Sequence, residues 1–275
     1  MVRVPEHATN AHQFLKMYLD LLGGQLCSPR GMKIYEVEDY QLVLNAGESC
    51  LTSFRARKMN LNYAVNEFLW YLGADPYDTS IEKFASMWPK IKQPEGFYYS
   101  NYGQYMFGTT GGVNWAVEEL MRDKDSRRAA FPFLKRRHCF ADNRDMVCTY
   151  SMGFRIRQNK LNMSVNMRSN DAIFGTTNDV FCFWMTYKLV LSMLQWVYKG
   201  LEPGVYTHKV DSLHVYERHW DMLHKLVYDG MPGYSTIYVP DPNRVEAWEL
   251  IRGDRTCLNE SGEFAKWLMQ NSQSS

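Results

Sequence analysis

VCTYSMGFRIRQNKLNMSVNMRSNDAIFGTTND, residues 147–179, is the stretch that decides the architecture. From Val147 to Arg157 apolar and polar residues alternate, the pair Asn159-Lys160 makes a turn, and Leu161 to Met167 alternates again. That is the pattern of a β-hairpin. Past Gly175-Thr176-Thr177-Asn178 the period changes, and an apolar run from Val180 to about Val197 reads as a long helix. A helix hydrophobic nearly all round belongs at the centre of its domain.

Working outward, His12 to Leu22 is amphipathic and ends at Gly23-Gly24, a helix with its glycine stop. Met32 to Val37 and Tyr40 to Leu44 read as two short strands around Asp39. Leu61 to Leu72 and Val113 to Arg122 carry apolar residues at helical spacing and would pack on a sheet. A strand-like stretch from Gly204 to Tyr216 precedes a last helix from about Arg218 to Val227. The class is therefore α+β, with a sheet built largely from local pairings and helices laid on it. No repeat, low-complexity segment or Pro/Gly/Ser linker divides the 275 residues, which predicts one domain over 1–275.

Hydrophobic residues make up 45% and charged residues 22%, which excludes a disordered tether. Thirty-one basic against 30 acidic residues leave a net charge of +1, so no global field draws the chain to nucleic acid or to an anionic membrane. Any bound anion must be met by a local cluster. Six cysteines (Cys27, Cys50, Cys139, Cys148, Cys182, Cys257) show no CxxC pair and no zinc-like spacing, so they read as free thiols in a reducing compartment, with no metal site. Met1 to Asn10 is no signal peptide, and the run Val180–Tyr198, broken by Lys188 and Gln195, reads as too polar for a bilayer span. The expectation is a cytoplasmic protein.

Cys148 opens the hairpin. An ordinary strand cysteine is a small buried hydrophobe; a reactive one needs cationic neighbours, for which Arg127, Arg128 and Arg168 are candidates. The pair Arg127-Arg128 follows Asp123-Lys124-Asp125-Ser126, and Arg168-Ser169 stands at the hairpin's end. Surface arginines are usually only solvated. Guanidinium forks with a serine hydroxyl can also cradle a phosphate.

Six blocks in order from about Arg30 to Tyr216 resemble the thymidylate synthase superfamily. They are Asn66-Glu67-Phe68-Leu69-Trp70-Tyr71-Leu72, Ser100-Asn101-Tyr102-Gly103, Asp125-Ser126-Arg127-Arg128, Met146-Val147-Cys148-Thr149, Val165 to Gly175, and Ser212-Leu213-His214-Val215-Tyr216. Within the superfamily the likeness runs to phage-type deoxycytidylate hydroxymethylases, which share the wording NMRSND, SNYG and SLHVY. The resemblance implies the family's fold with a mixed sheet around the buried central helix, a homodimer joined across a sheet face, a nucleoside monophosphate substrate, 5,10-methylenetetrahydrofolate as cofactor and, for a phage-encoded chain, the host's cytoplasm.

It also implies roles. Cys148 matches the nucleophile that adds to pyrimidine C6, Glu67 the carboxylate that organises proton transfer, and Tyr102 an active-site hydroxyl. Arg168 and Ser169 match phosphate ligands of the same subunit, Arg127 and Arg128 phosphate ligands reaching in from the partner, and Arg30 a further phosphate arginine at altered spacing. Asn170 lies in the substrate-binding run, His214 and Tyr216 match the residues that hold the sugar hydroxyl, and Trp88, Asp171 and Gly175 match folate-side positions. Without the neighbouring blocks these would read as a sheet-end His and Tyr, a core Trp and a turn glycine.

Asp179 falls where the synthases place the asparagine that reads the base. An amide offers one donor and one acceptor, matching O4 and N3–H of uracil; a carboxylate offers acceptors only, matching the amino group of cytosine. The competing reading makes Asn178 or Asp179 the N-cap of the helix that follows. The expected activity is C5 hydroxymethylation of dCMP. The alternatives are dCMP or CMP methylation, a CMP hydroxymethylase, a dUMP-specific enzyme, or a binding protein that keeps the fold without turnover. Thr149 in place of a histidine, Gly153 in place of a glutamine and the polar ending Asn271 to Ser275 are departures from the synthases, and the first and last lean toward water as the final acceptor.

Overall fold

In a computed structural model of the protein, which describes residues 9–228, 234–259 and 262–273, the central hairpin forms from β5 (Thr149–Arg157) and β6 (Lys160–Met167). Its turn is Gln158-Asn159, one residue earlier than the alternation suggests. Both residues are left-handed, with φ of 51° and 56°, the pair that a tight turn twisting with its strands requires. Leu161, Met163, Val165 and Met167 face the core from β6. On β5 a bulge between Thr149 and Ser151 shifts the phase by one residue, so Thr149 turns inward opposite Met167 and Cys148 comes opposite Arg168.

The sheet is completed by β1 (Gln25–Cys27), β2 (Ile34–Asn45), β4 (Ala130–Pro132), β7 (Asn170–Asp171) and β8 (Glu202–Tyr216), in the order β1-β2-β8-β6-β5-β4 with β7 also on β8. It is mixed, as expected: β6 and β7 run parallel to β8, and the other pairs are antiparallel. The two strands expected around Asp39 are one, because Asp39 adopts φ 52° and the ladder to β8 runs through on both sides of it.

Helix α1 (Asn10–Leu22) lies on β2 and ends at Gly23. Helix α2 (Leu61–Leu72) starts where the Asn60 side chain accepts from the Tyr63 amide. The short α3 (Trp88–Ile91) and α4 (Gly103–Met106) lead to α5 (Gly112–Arg122). The central helix α6 (Gly175–Val197) is buried along most of its length, packed by Phe181, Phe183, Tyr187 and Leu194. It is long and apolar enough to cross a membrane by length and composition, yet 72% of its apolar window is enclosed by the rest of the chain. Its one enclosed cation, Lys188, pairs with Asp241, donates to the Val239 carbonyl and sits over Trp184.

The helix begins five residues before the expected Val180. Its N-cap position is Phe174, so the capping role for Asn178 or Asp179 is overturned, and Asp179 stands inside the helix. Thr176 and Thr177 read as loop residues, but both are buried, and the Thr176 hydroxyl is taken up by Asn170. Tertiary contacts outweigh their weak helix propensity. Helix α7 (Trp220–Tyr228) follows a single turn at Glu217–His219.

The last 50 residues, unplaced by the sequence, add β9 (Tyr234–Thr236), which pairs with β3 (Thr52–Phe54), and two helices. Helix α8 (Arg244–Ile251) packs on α6, and α9 (Glu263–Ser272) packs on α2. The buried Glu246 carboxylate ties the two together, accepting from the Asn243 and Ala265 amides. The first eight residues, read for a leader, and Ser274-Ser275 of the polar ending lie outside the described residues.

Candidate active site

The hairpin register places Arg168 on Cys148. The Arg168 amide donates to the Cys148 carbonyl (2.8 Å); its Nε donates to the Val147 carbonyl (3.0 Å) and its Nη2 to the Met146 carbonyl (2.7 Å), and the same Nη2 lies 3.5 Å from Cys148 Sγ. Burial raises the thiol's pKa, and the charges of Arg168 and, more weakly, Arg30 oppose that rise. A thiolate formed here therefore has a cation within contact distance. The Cys148 amide donates to the Tyr102 hydroxyl (3.2 Å), which fixes the phenol against the Cys148 backbone.

Helix α2 presents Tyr63, Glu67 and Tyr71 at successive four-residue steps, hence on one face. Both phenols donate to Glu67 Oε1, at 3.1 and 3.4 Å, while the buried Oε2 has no protein partner. Burial and the nearby Asp179 charge push the Glu67 carboxyl up to about 8, so it holds a proton near neutrality. The Tyr71 ring packs 5.5 Å from the Tyr102 ring, linking this face to Cys148.

A cleft of about 430 Å³ opens on Arg168, and Arg30, Ser169, His214 and Tyr216 line it with that residue. Arg30, the least regular match by spacing, enters it from a left-handed turn with φ 52°. Pairing of β7 with β8 sets Asp171 opposite His214. His214 Nδ1 lies on the Ser212 carbonyl, which leaves Nε2 as an acceptor. Arg127 and Arg128 do not join this cluster. Both are exposed, and Arg128 lies 3.7 Å from Glu119, which the Ser126 hydroxyl also bonds.

Asp179 sits at the inner end of the site. The Asn170 amide donates to its Oδ2 at 2.6 Å, and burial pushes the carboxyl up to about 7 against that bond. It is close enough to Glu67, Tyr102 and Cys148 to raise the pKa of each.

The thymidylate synthase family model matches residues 15–248, a span that includes every group described above. The chain belongs to the thymidylate synthase family. Its fold is shared with a thermostable thymidylate synthase A from Bacillus subtilis, at a TM-score of 0.63 and 18% identity over 80% of this chain and 84% of that one. Two curated relatives are phage proteins. A deoxyuridylate hydroxymethyltransferase of Bacillus phage SP01 is 26% identical over 73% of this chain and 56% of its own length. A deoxycytidylate 5-hydroxymethyltransferase of Enterobacteria phage T6 is 30% identical over 59% of this chain and 70% of its own length. The chain thus spans little more than half of the SP01 relative.

Of the positions expected to face folate, Trp88 is 4% exposed, packed edge-on against Trp70 and Tyr98, with its N–H on Tyr63. In this conformation it shows no open ring face and acts on Glu67 through Tyr63. Three other groups fit a ring bearing amide and carboxylate functions. These are the half-buried Asp171 carboxylate, the buried Arg57 with Nε and Nη1 unpartnered, and the exposed Phe174 ring 5.1 Å from that guanidinium. Arg57 and Phe174 were not marked by the sequence reading, and neither were Tyr63, Tyr71, Tyr206 and His208. The four-residue spacing of Tyr63-Glu67-Tyr71 and the inward polar pair Tyr206 and His208 on an otherwise apolar strand face are the signals that mark four of them. Among the described residues no group of three or more His, Cys, Asp or Glu side chains could hold a metal ion.

Proposed function

We propose that the protein hydroxymethylates C5 of a pyrimidine nucleoside monophosphate, with dCMP preferred. The observation that carries the reading is Asp179, a carboxylate held as an acceptor where the synthases place an amide, within electrostatic reach of Cys148 and Glu67. The names of the T6 and SP01 relatives support hydroxymethylation, and they divide between cytosine and uracil. The acceptor chemistry of Asp179 favours cytosine.

The phosphate would sit in the cleft on Arg168, Ser169 and Arg30, with the sugar hydroxyl on His214 and Tyr216. The Cys148 sulfur, deprotonated beside Arg168, adds to C6 and makes C5 nucleophilic, splitting one hard step into two. When bound, 5,10-methylenetetrahydrofolate supplies the one-carbon unit; Asp171, Arg57 and Phe174 would hold it. Glu67 carries a proton near neutral pH and, with its unpartnered Oε2, can pass it to or from the base or a solvent molecule. Tyr102 keeps its proton to a pH well above the ordinary phenol range, because it is buried beside Cys148 and Asp179, and serves as a donor. Loss of the C5 proton and of tetrahydrofolate would leave an exocyclic methylene to which water adds as the source of the hydroxyl, and release of the Cys148 sulfur from C6 ends the cycle.

We further infer that Arg127 and Arg128 complete the phosphate site of a second subunit, since they are exposed and do not line the cleft of their own chain. The six free thiols suit a reducing compartment. The test is incubation with dCMP, CMP or dUMP and methylenetetrahydrofolate, with products identified by mass. Hydroxymethyl-dCMP is expected, together with a preference that moves toward dUMP in Asp179→Asn. A methylated product, or an unchanged substrate ratio in that variant, refutes the corresponding part.

A further inference from the structure

Behind Asp179 runs a buried hydrogen-bond chain with a fixed direction, and we propose that Asn170 and His208 are positioning residues that keep the base-reading carboxylate an acceptor, and so set the preference for cytosine over uracil. The proposal rests on the base-reading role given to Asp179 above.

The direction follows from donor counting. His208 is fully buried and burial lowers its pKa to about 3, so the ring is neutral, with one N–H and one lone pair. Its Nε2 is 3.3 Å from Asn170 Oδ1, an atom that can only accept, so the hydrogen is on Nε2. Nδ1 must then accept, and it does so from the Tyr206 hydroxyl at 2.8 Å. Asn170 Oδ1 takes a second hydrogen from Thr176 Oγ1 at 2.5 Å. Beside an ionised Asp179, which can only accept, this is the one orientation of the amide that sets no acceptor against an acceptor, so the whole chain runs one way. The amide N–H therefore faces Asp179 Oδ2. Gly175 leaves room for this arrangement, because a Cβ there would stand 3.2 Å from Asn170 Nδ2.

The consequence is chemical. A protonated carboxyl has one donor and one acceptor, the inventory of an asparagine amide, and so matches uracil; only the ionised form is acceptor throughout. The titratable groups that feel Asp179 are Glu67 and Tyr71 on α2, Tyr102, Cys148, Cys182 on α6, and Tyr206 on β8. All six are acids, so none of them stabilises the charge. The Asn170 N–H is the contact that does.

The experiment measures equilibrium affinities of dCMP and dUMP without folate, then kcat/KM for both with it. The proteins are the wild type, Asp179→Asn, Asn170→Leu, His208→Phe, His208→Gln and the Asp179→Asn/Asn170→Leu double variant. Losing a hydrogen bond to a charged group should lower the dCMP:dUMP ratio by about tenfold to a hundredfold in Asn170→Leu. His208→Phe should lower it less. His208→Gln, which keeps a donor toward Asn170 and an acceptor toward Tyr206, should restore it. In the Asp179→Asn background Asn170→Leu should add little. An unchanged ratio in Asn170→Leu and His208→Phe, or equal effects of Asn170→Leu in both backgrounds, overturns the proposal while Asp179→Asn still shifts the preference. An unchanged ratio in Asp179→Asn itself removes the base-reading role and the proposal with it. Should Asn170→Leu fail to fold, the Phe and Gln variants of His208 decide.

Discussion

Glu67, Asp179 and Asp145 are carboxyl groups whose burial raises their pKa values, to about 8, about 7 and about 6. In the unfolded chain such groups titrate near 4, so between roughly pH 4 and 8 the folded state binds more protons than the unfolded one. Stability contributed by these groups is then greatest at the acidic end of that window and falls as pH rises through it. Glu67→Gln should therefore gain stability relative to wild type between pH 5 and pH 8, on the order of a few kcal/mol. Thermal melts at the two pH values check this, and a constant gap would contradict it. The same variant should lose about 10²- to 10⁴-fold in turnover, as expected when a proton-transfer group is removed. The Tyr63-Glu67-Tyr71 arrangement is legible in the sequence as a four-residue spacing. The Asn170–Asp179 bond is not, because it joins a two-residue strand to a helix whose first turn reads as a loop.

The hairpin and α2 were readable because each shows one clean period, whereas α6 hid its first five residues behind threonines whose burial comes from tertiary packing. The bulge at Thr149–Ser151 was equally invisible, yet it is what turns Cys148 toward Arg168. Helices α8 and α9 were missed in a stretch where the likeness to the family fades; α8 is only 8 residues long and has apolar residues spread around it. Contact between α4 and α2 supplies a test of how tightly elements hold the site. A Cβ on Gly103 would stand 1.8 Å from the Tyr71 carbonyl oxygen, a collision with backbone that no side-chain rotation can relieve. Gly103→Ala should cost about 3 kcal/mol or more in urea unfolding, and should disturb Tyr71 and the neighbouring Tyr102. Gly23→Ala, whose Cβ would meet nothing closer than 3.6 Å, should cost under about 1 kcal/mol.

The whole molecule separates its arginines: Arg30 and Arg168 line the cleft, while Arg127 and Arg128 are exposed outside it on the same chain. If the second pair serves a neighbouring copy, mixing an Arg127→Ala chain with a Cys148→Ala chain should restore activity, since one site in each mixed dimer would have intact components. Activity no higher than that of either variant alone would contradict the shared site. The fold class, the sheet and the central helix were all accessible from residue patterns, since they depend on which positions are apolar. The partner role proposed for Arg127 and Arg128 was accessible only through likeness to a family, because exposed charge carries no periodic signal. Asp179 rides on a 23-residue helix wedged into the interior, not on a surface loop. Its backbone can hardly be re-aimed without dismantling the core, so if Asp179 reads the base as proposed, a switch of preferred pyrimidine in this scaffold comes through exchange of side chains, and directed evolution of new base selectivity belongs at positions 170, 176, 179 and 208.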